Sequence, residues 1–570
     1  SRPWISLCFP GITLALFKRL KHFYREDIFV ATAKAIVERL HKADTLPTAE
    51  RVAEIADILS DFCYPDRETV LTPWRVVNRQ MADTLGGYCF FNERYDKTIR
   101  EPRFVYHEGV TNRTFMNPKA RILDICSKTG LYSLYAAFSM YKLRSSESQG
   151  LFDMLSDEES GSMWQEIVEN NIFAVCKTRM AECITRRTLV GFRKDVRVNV
   201  QHIDGMISQV IVYKRKFIKT ITDSVSFWKL NKKQQMKFDA IIGNPPYQMN
   251  IGEKKDNYGI PLYNEFMEIA REMKPQYISM IMPSRWFTGG RGLDNFRHSM
   301  LTDKHVRAIF DFVDSKDCFP TVDISGGIGY FLWDAKHKDE CEFTNNLHNK
   351  STTRKRKLNE FPIFVRNNNA LSLIYKVRAK SKKMLNKQVS GQTPFGFVTT
   401  FRGKEEPKED GSTVLLKSSG APSYVLRSDI KKNVQWIDLY KVIFSKATCE
   451  HAGTPDRNGQ FRVLSSAAIL KPGCVCTQSY LVGGAYASET EANNLLAYLK
   501  TKFSRYLMLQ TITSQDLSPE KFMFVPVQDF SEKSDINWQC PLNDIDKQLY
   551  EKYGVDKNEI ALIEGTIKEM

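Results

Sequence analysis

The chain has 570 residues, of which 42% are hydrophobic and 26% are charged. This size and composition predict a globular protein of roughly two to four domains and exclude a disordered or fibrous chain. The formal net charge of +16 favours a polyanionic partner such as nucleic acid, although the same charge would also serve solubility alone.

The cysteines and the apolar segments indicate the compartment. Twelve cysteines are scattered along the chain, and Cys474 and Cys476 are the only close pair, so we expect free thiols in a reducing compartment and no metal site. No apolar run reaches the roughly 20 residues that span a membrane, and we expect no membrane partner. Because the chain begins with serine, we expect it to be part of a longer protein.

Residues 1–70 are predicted to form a helical segment that caps the following domain. Apolar residues recur at helical spacing between residues 13 and 63, on both sides of Pro47. The sequence Thr72-Pro73-Trp74 comes next, where Thr72 can act as the N-cap of a helix that begins at Pro73.

Three buried strands are predicted before residue 204, and polar residues follow each of them. The first strand leads into a turn and a helix through Asp124, Thr129 and Gly130, and the third ends at Asp204. A carboxylate at such a strand end can bind a nucleoside-like ligand outside the carboxyl edge of a doubly wound sheet, and Gly130 would let the backbone approach it. Asp204 can alternatively be a solvated turn residue before a glycine. The three strands cover residues 120–124, 171–176 and 198–203.

The segment 238–248, FDAIIGNPPYQ, is a strand that must end at its two prolines. Prolines stiffen the turn, so the Asn244 carboxamide and the Pro245 carbonyl become fixed hydrogen-bond acceptors. Two such acceptors can hold the two N–H groups of an exocyclic amine, while Tyr247 stacks on the base that carries the amine. A rigid turn without a chemical role would contain the same residues.

The Asn244-Pro245-Pro246-Tyr247 motif resembles the catalytic motif of amino-methylating DNA methyltransferases, and its Asn form is typical of the N6-adenine enzymes. The order of the motifs, with the cofactor loop before the proline motif and a long tail last, resembles the gamma arrangement of that family. The resemblance implies that S-adenosylmethionine is the cofactor. It also implies a cofactor site made by Thr72, Asp124, Thr129, Gly130 and Asp204.

Three positions depart from the family pattern around the cofactor. Ile125 stands where the family has proline, and Lys128 stands where it has the first glycine of its loop. Cys176, or its neighbour Lys177, lies where the family usually has an acid for the ribose hydroxyls. These departures leave open whether the loop still binds the cofactor.

Strands alternate with helices beyond the proline motif as well, which predicts a parallel sheet. We therefore expect an α/β fold with a doubly wound, Rossmann-like class I methyltransferase sheet over residues 71–335. The later strands are predicted at residues 277–282, 306–312 and 326–333.

The tail is basic: lysine and arginine outnumber aspartate and glutamate by about two to one between residues 336 and 446. We predict a basic linker over residues 336–388 and a mixed α+β target-recognition domain over residues 389–570. The C-terminal segments resemble those of Eco57I-type restriction–modification methylases. Double-stranded DNA is the expected partner. The residues predicted to contact its phosphates are Lys376, Arg378, Lys380, Arg402 and Lys417.

Taken with the resemblance, these features predict a site-specific DNA adenine-N6 methyltransferase of the bacterial cytoplasm. We expect it to be part of a restriction–modification enzyme, with a nuclease or translocase possible upstream in the full polypeptide. Two alternatives stay open. The same motif occurs in methyltransferases that act on a glutamine amide or on RNA, and the altered cofactor loop would also suit a DNA-binding module that has lost catalysis.

Overall fold

The computed structural model describes residues 25–61, 71–148, 156–249, 259–288, 292–320, 322, 324–347, 350–449, 455–512 and 515–570. The helices are α1 (Glu26–Ala43), α2 (Thr48–Ser60), α3 (Trp74–Thr84), α4 (Val110–Arg113), α5 (Leu131–Ser148), α6 (Asp157–Asn170), α7 (Arg179–Val190), α8 (Met206–Val212), α9 (Lys214–Ile221), α10 (Tyr263–Glu272), α11 (Asp294–Thr302), α12 (Leu371–Lys380), α13 (Glu489–Lys500), α14 (Lys502–Leu509), α15 (Leu542–Tyr553) and α16 (Lys557–Thr566). The strands are β1 (Gly87–Phe91), β2 (Thr98–Val105), β3 (Ile122–Ser127), β4 (Ile172–Cys176), β5 (Asn199–His202), β6 (Ala240–Gly243), β7 (Gln248–Met249), β8 (Ile260–Pro261), β9 (Tyr277–Pro283), β10 (Val306–Phe312), β11 (Ile328–Asp334), β12 (Cys341–Leu347), β13 (Lys350–Arg356), β14 (Thr413–Lys417), β15 (Ser423–Leu426), β16 (Tyr440–Ser445), β17 (Ala467–Leu470), β18 (Cys474–Cys476) and β19 (Tyr480–Tyr486).

Nine strands form one sheet in the order β13-β12-β10-β11-β9-β6-β3-β4-β5. All neighbours from β5 to β9 are parallel. The chain starts at β3, builds outward through β4 and β5, and then returns to the other side of β3 to build β6 and β9. The order therefore reverses between β3 and β6, and the predicted doubly wound, Rossmann-like sheet is confirmed.

The central strands are apolar because the sheet is covered on both faces. Every residue of β3, β4, β6 and β9 is buried. Alternate residues of β6 belong to different cores: Ala240 and Ile242 pack with α3, α5 and α6, whereas Ile241 packs with α8 to α11. Since strand side chains alternate between faces, a continuous apolar run is what a strand between two helical layers requires.

Strand β11 lies between β9 and β10 and is antiparallel to both. The prediction of a strand here is confirmed, but the expectation of parallel strands throughout is wrong at this position. The described part of the connection 313–327 contains a single 3-10 turn, Ser315–Asp317. A strand that returns without a crossover helix pairs antiparallel, which explains the direction of β11.

Helices α1 and α2 lie against the outer helices of the sheet, and the predicted helical cap agrees with this for residues 26–60. The Asp44 carboxylate accepts hydrogen bonds from Arg51 Nε and from the backbone N–H of Phe192, both at 3.2 Å. The ring of His41 stacks on that of Phe192 with the centroids 4.1 Å apart. Residues 1–24 and 62–70 of the predicted cap lie outside the described part of the chain.

The basic segment predicted as a linker, 336–388, is folded, so that prediction is wrong. Strands β12 and β13 extend the sheet at its edge. Helix α12 buries Leu371, Ile374 and Val377 in the core that it shares with α13 to α16. The basic composition led to the wrong prediction of a linker because lysine and arginine are also common on exposed edge strands, where they discourage pairing with other chains.

The remaining residues form two three-stranded sheets, β15-β14-β18 and β17-β16-β19, with helices α13 to α16. This is the mixed α+β architecture predicted for the C-terminal region. Between β13 and α12, the guanidinium of Arg366 ties the chain to the large sheet, because it donates to both carboxylate oxygens of the fully buried Asp311 in β10, at 2.7 and 2.8 Å. Among the described residues, no helix is long and apolar enough to cross a membrane.

Candidate functional site at the carboxyl edge of the sheet

The site is built where β3 and β6 lie side by side. The two strands are parallel, and Asp124 is in register with Ile242. Both strands therefore end at the same edge, at the point where the strand order reverses. Ligands of doubly wound sheets bind outside the carboxyl ends of the strands at this switch point. The proline motif follows β6 directly, so the topology brings it to Asp124.

Gly243 permits the close approach of these two segments. Its φ of +142° lies in a region that side-chain-bearing residues rarely adopt. A Cβ atom at this position would lie 3.1 Å from Oδ1 of Asp124. The glycine before the motif thus lets the turn leave β6 immediately beside the buried carboxylate.

Asn244 is buried, and a neighbour holds its carboxamide in one orientation. Its Nδ2 donates to Thr72 Oγ1 at 2.9 Å. Its Oδ1 is also buried and has no hydrogen-bond partner in the part of the chain that is described. A buried acceptor without a partner is costly in a folded protein and indicates that the site is completed by something else. The side chain therefore offers a free oxygen at a fixed place.

The position of Thr72 excludes one of the two roles open to it from the sequence, that of a helix cap. Helix α3 begins at Trp74 with Pro73 as its N-cap residue, and it has no side-chain cap. The Thr72 hydroxyl instead accepts the hydrogen bond from Asn244. The capping prediction is wrong, because the helix starts one residue later than expected and the threonine is freed for the motif.

A buried network of hydrogen-bonded side chains, which the sequence did not predict, contacts Thr72. Burial raises the pKa of the Tyr132 hydroxyl well above its usual value, and a hydrogen bond with Thr72 opposes this shift. The Tyr132 hydroxyl donates to Gln80 Oε1 at 2.5 Å, and Gln80 Nε2 donates to Ser279 Oγ at 3.1 Å. The network joins α3, α5 and β9 behind the motif. No sequence signal separates these residues from ordinary helix and strand positions.

Asp124 is a buried carboxylate with spare hydrogen-bonding capacity. Its Oδ2 accepts from Ser133 Oγ at 3.2 Å, while Oδ1 has no hydrogen-bond partner among the described residues. Burial raises the pKa of this carboxyl to about 6. At neutral pH the carboxyl is therefore ionised, but its ionised form carries a substantial desolvation cost. A cationic or hydrogen-bonding ligand would offset this cost.

The turn after β3 is packed from behind by α7. Gly130 has a φ of +79°, and a Cβ atom there would lie 3.1 Å from Cα of Thr185 and Cβ of Thr188. The hydroxyl of Thr188 donates to the Thr129 carbonyl at 2.6 Å. The expected role of Gly130, close approach to a ligand, needs correction, because the space beside its missing side chain is filled by α7.

The end of β4 lacks a carboxylate, as the sequence indicates. Cys176 is buried, and its thiol donates to Thr185 Oγ1 at 3.8 Å. Carboxylates occur nearby on α7 and after β5: the two ring nitrogens of His202 lie 3.1 Å from Glu182 Oε2 and 3.1 Å from Asp204 Oδ1. Asp204 is 86% exposed in an open turn before Gly205, so the structure does not bring it into the group formed by Asp124, Asn244 and Thr72.

The rest of the proline motif closes the turn. Pro245 and Pro246 are buried, and Tyr247 is half-buried. The Tyr247 ring packs against two cores, one on each side of the carboxyl edge. Its carbonyl accepts from the backbone N–H of Leu262 at 3.1 Å. Residues 250–258, the loop that follows the motif, lie outside the described part of the chain.

Two of the five predicted phosphate contacts have other partners. Lys376 Nζ lies 2.6 Å from Glu559 Oε2 and 3.2 Å from Asp556 Oδ2, and Lys380 Nζ donates to the Lys552 carbonyl at 2.5 Å. The prediction is corrected for these two lysines, because their ammonium groups hold α12 against α15 and α16.

The other three predicted phosphate contacts are exposed. The Arg378 guanidinium lies 5.3 Å from the centroid of the Phe361 ring. Arg402 donates to the carbonyls of Thr399 and Phe401 at 2.8 Å, and Lys417 ends β14. Arg402 and Lys417 therefore stay available on the surface of the β14-β15-β18 sheet.

The switch point of the doubly wound, Rossmann-like sheet thus combines a proline turn with a free amide acceptor. Residues 170–319 match the family model described as "Eco57I restriction-modification methylase". The resemblance predicted from the sequence is thereby confirmed for this segment, which contains the whole proline motif. A protein of Mycoplasma pneumoniae (strain ATCC 29342 / M129 / Subtype 1), "Uncharacterized adenine-specific methylase", is 26% identical in an alignment of 321 positions, which covers 47% of this chain and 73% of that protein.

Several solved structures are similar at low sequence identity. A "modification subunit of a putative type I restriction enzyme" from Vibrio vulnificus YJ016 is 12% identical, with a TM-score of 0.32 over 53% of each chain. The "Type IIL restriction-modification enzyme MmeI in complex with DNA" is 8% identical, with a TM-score of 0.40 over 78% of this chain and 72% of that one. The "Type ISP restriction-modification enzyme LlaGI" is 10% identical, with a TM-score of 0.44 over 89% of this chain and 48% of that one. This chain thus spans about half the length of the first and third of these proteins, and the fold assignment rests on the sheet itself.

Proposed function

We propose that this chain is an S-adenosylmethionine-dependent DNA adenine-N6 methyltransferase and serves as the modification and recognition part of a restriction–modification enzyme. The observation that carries the proposal is the buried Asn244 carboxamide, whose Oδ1 is left free while Nδ2 is held by Thr72. The match of residues 170–319 to a methylase family and the adenine-specific relative support the same reaction.

The residues at the switch point fit S-adenosylmethionine. The free Oδ1 of Asp124 and its raised pKa suit a carboxylate that receives a ligand with hydrogen-bond donors or positive charge. The turn with Thr129 and Gly130 would shape the pocket from the side of β3. S-adenosylmethionine would supply the methyl group as part of a sulfonium.

The proline motif would hold the target amine for attack. Asn244 Oδ1 and the Pro245 carbonyl would each accept one N–H of adenine N6, which draws the nitrogen lone pair out of conjugation and aims it at the methyl group. Pro246 would fix the turn, and Tyr247 would stack on the base. Because Asn244 is already oriented before substrate arrives, little reorganisation is needed when the base enters.

Duplex DNA is the substrate best suited to the whole chain. A base within a duplex cannot reach a buried Asn244, so it must be flipped out, at a cost of about a few kcal/mol. The net charge of +16 would help to offset that cost through phosphate contacts. The C-terminal sheets, which carry the exposed Arg402 and Lys417, would read the target sequence.

Mass spectrometry of DNA tests the proposal directly. N6-methyladenine is expected in duplex DNA incubated with the protein and S-adenosylmethionine, and sequencing of modified bases would then show the recognition site. Methylation of a glutamine amide or of RNA instead of DNA would replace the proposal with one of the alternatives. No binding of S-adenosylmethionine by calorimetry, even at millimolar concentration, would favour a DNA-binding module without catalysis.

Replacing Thr72 with valine is expected to lower kcat for methyl transfer by about 10-fold while leaving KM for S-adenosylmethionine within about 2-fold. The substitution removes the acceptor of Asn244 Nδ2, so the carboxamide loses its fixed orientation. Thr72→Ser keeps the hydroxyl and should restore the rate. Steady-state kinetics on duplex DNA measure both constants, and an equal loss in the serine variant would contradict the positioning role.

A further inference from the structure

A strongly basic stretch covers one side of the large sheet. Residues 213–238, which contain α9 and most of the loop before β6, have eight basic residues and one acidic residue, Asp223. One of the eight, Lys214, is neutralised, because its ammonium contacts Glu265 and lies 2.5 Å from Glu268 Oε2, both on α10. The other seven are exposed and form no ion pair within the part of the chain that the structure describes. These seven, here called the basic stripe, are Arg215, Lys216, Lys219, Lys229, Lys232, Lys233 and Lys237.

The single carboxylate of this stretch does not neutralise the basic stripe. Asp223 Oδ1 accepts hydrogen bonds from the backbone N–H groups of Ser226 at 2.7 Å and Val225 at 3.0 Å. The hydrogen bonds from Ser226 are the main cause that lowers the pKa of Asp223, and the charge of Lys233 contributes less. The carboxylate therefore serves its own turn, and a large excess of positive charge is left on this surface.

The loop that carries four of the seven cations is folded back onto α9. The backbone N–H of Met236 donates to the Thr222 carbonyl at 2.9 Å. The indole of Trp228 is buried and donates to the Ile221 carbonyl, at the end of α9, at 2.8 Å. The cations of the loop therefore stay next to those of the helix and form one continuous surface with them.

The basic stripe begins beside the proline motif and leads away from it. Lys214, the first residue of α9, contacts Glu265 in the first turn of α10. Leu262, directly before α10, donates its backbone N–H to the Tyr247 carbonyl at 3.1 Å. The other end of the stripe, Lys237, precedes β6 by three residues and so lies at the opposite edge of the sheet. The stripe thus runs from the neighbourhood of the proposed methylation site down one side of the domain.

The spacing of these cations suits a polyanion with closely spaced charges. Arg215 and Lys219 are four residues apart, so they lie on the same face of α9. The eight residues of α9 extend for about 12 Å, and one strand of duplex DNA presents a phosphate about every 3.4 Å along its axis. Helix α9 can therefore lie beside about three or four successive phosphates. Clustered lysine and arginine on one face are typical of a nucleic-acid-binding surface.

We propose that the basic stripe binds the phosphate backbone of the duplex that flanks the target base. The identification of the ligand as DNA rests on the proposed function. The stripe would position the duplex beside the site without reading its sequence. Its contacts lie outside the flipped nucleotide, so they would supply part of the binding free energy that base flipping consumes.

The test measures the affinity of the full chain for a fluorescently labelled DNA duplex at several salt concentrations. One double variant, Arg215→Gln with Lys219→Gln, removes charge from α9, and a second, Lys232→Gln with Lys237→Gln, removes it from the loop. Each is expected to reduce the slope of log Kobs against log salt by about 1.8, or about 0.9 for each lost phosphate contact. Between 50 and 200 mM salt, affinity should therefore fall about 12-fold less than for the wild type. Since all four side chains are exposed, thermal unfolding of the variants should match that of the wild type.

Lys34→Gln with Lys42→Gln is the matched control. Both lysines are exposed on α1, and their loss removes the same charge. Helix α1 packs through Ala43 into the core on one face of the sheet, whereas α9 packs through Phe217 and Ile221 into the core on the other face. The control should keep the wild-type slope. Unchanged slopes in both stripe variants, an equal change in the control, or no binding of duplex by the wild type would each overturn the proposal.

Two further comparisons identify the ligand and separate the two proposals. Polyglutamate and an RNA duplex, each at the same concentration of charge, should bind more weakly than the DNA duplex. Tighter binding of either one that is lost in the stripe variants would assign the surface to an acidic protein or to RNA and overturn the DNA assignment. Reduced slopes without any DNA methylation would support the basic stripe and reject the methyltransferase, whereas methylation with unchanged slopes would support the methyltransferase and overturn the basic stripe.

Discussion

Replacing Asn244 with alanine is expected to reduce methyl transfer to DNA by at least about 100-fold. The substitution removes the free Oδ1 that would accept an N–H of the target amine. Binding of S-adenosylmethionine, measured by calorimetry, should change little, because the cofactor is expected to contact Asp124 and the turn after β3. Transfer of a radiolabelled methyl group to duplex DNA measures the rate.

Asn244→Asp is the matched control for this experiment. It keeps an acceptor oxygen at the same place, and the Thr72 hydroxyl can donate to the other carboxylate oxygen. The aspartate variant should therefore retain much more activity than the alanine variant. Normal activity in the alanine variant would refute the catalytic assignment, and loss of cofactor binding would show that the substitution damages the pocket and not the chemistry alone.

Replacing Asp124 with asparagine is expected to have opposite effects on stability and on cofactor binding. The pKa of the carboxyl is raised from 3.8 to about 6 by burial, so the folded protein holds the proton more tightly than the unfolded chain. The ionised group destabilises the fold above pH 6, by about 2 to 3 kcal/mol. The neutral amide avoids this cost, while a ligand that needs the carboxylate should bind at least about 10-fold more weakly.

The direction in which the stability difference between the two proteins changes with pH shows whether ionisation of Asp124 causes it. Below about pH 4 the carboxyl is protonated in both states, so the two proteins should be equally stable. As the pH rises from 4 to 6, the unfolded chain releases its proton first and the wild type loses stability relative to the variant. Thermal unfolding across this range measures the difference, and calorimetry measures cofactor affinity. A constant difference at every pH would show that the carboxyl does not titrate as its burial requires.

The carboxyl edge illustrates how far the residues alone predict the site. Local sequence located Asp124 after one strand and Asn244 after another, because apolar runs that end in proline or glycine turns identify strand ends. It also offered Thr72 as a helix cap, one of two roles left open, and that role came from reading only the neighbours in sequence. The hydrogen bond between Thr72 and Asn244 joins residues 172 positions apart, and no local pattern encodes it.

Charge patterns were the weakest guide. The run of lysine and arginine after residue 336 resembles a solvated linker, yet it contains an edge strand and a helix whose apolar side faces a core. Lys376 and Lys380 were expected to meet phosphates, but their partners are acidic and carbonyl groups on α15 and α16. A charged residue has no sequence signature that distinguishes a protein partner from a nucleic acid.

The sequence by itself determined the alternation of strands and helices, the doubly wound sheet and the proline turn, because hydrophobic periodicity and the conformational limits of proline and glycine act over a few neighbouring residues. Tertiary structure alone decided the direction of β11, the orientation of Asn244 and the network behind Thr72. Each of these depends on side chains or strands that are far apart in the chain and meet only when the sheet closes on its helices. Such contacts are selected by packing and by the need to pair buried polar groups, which no short stretch of sequence can express.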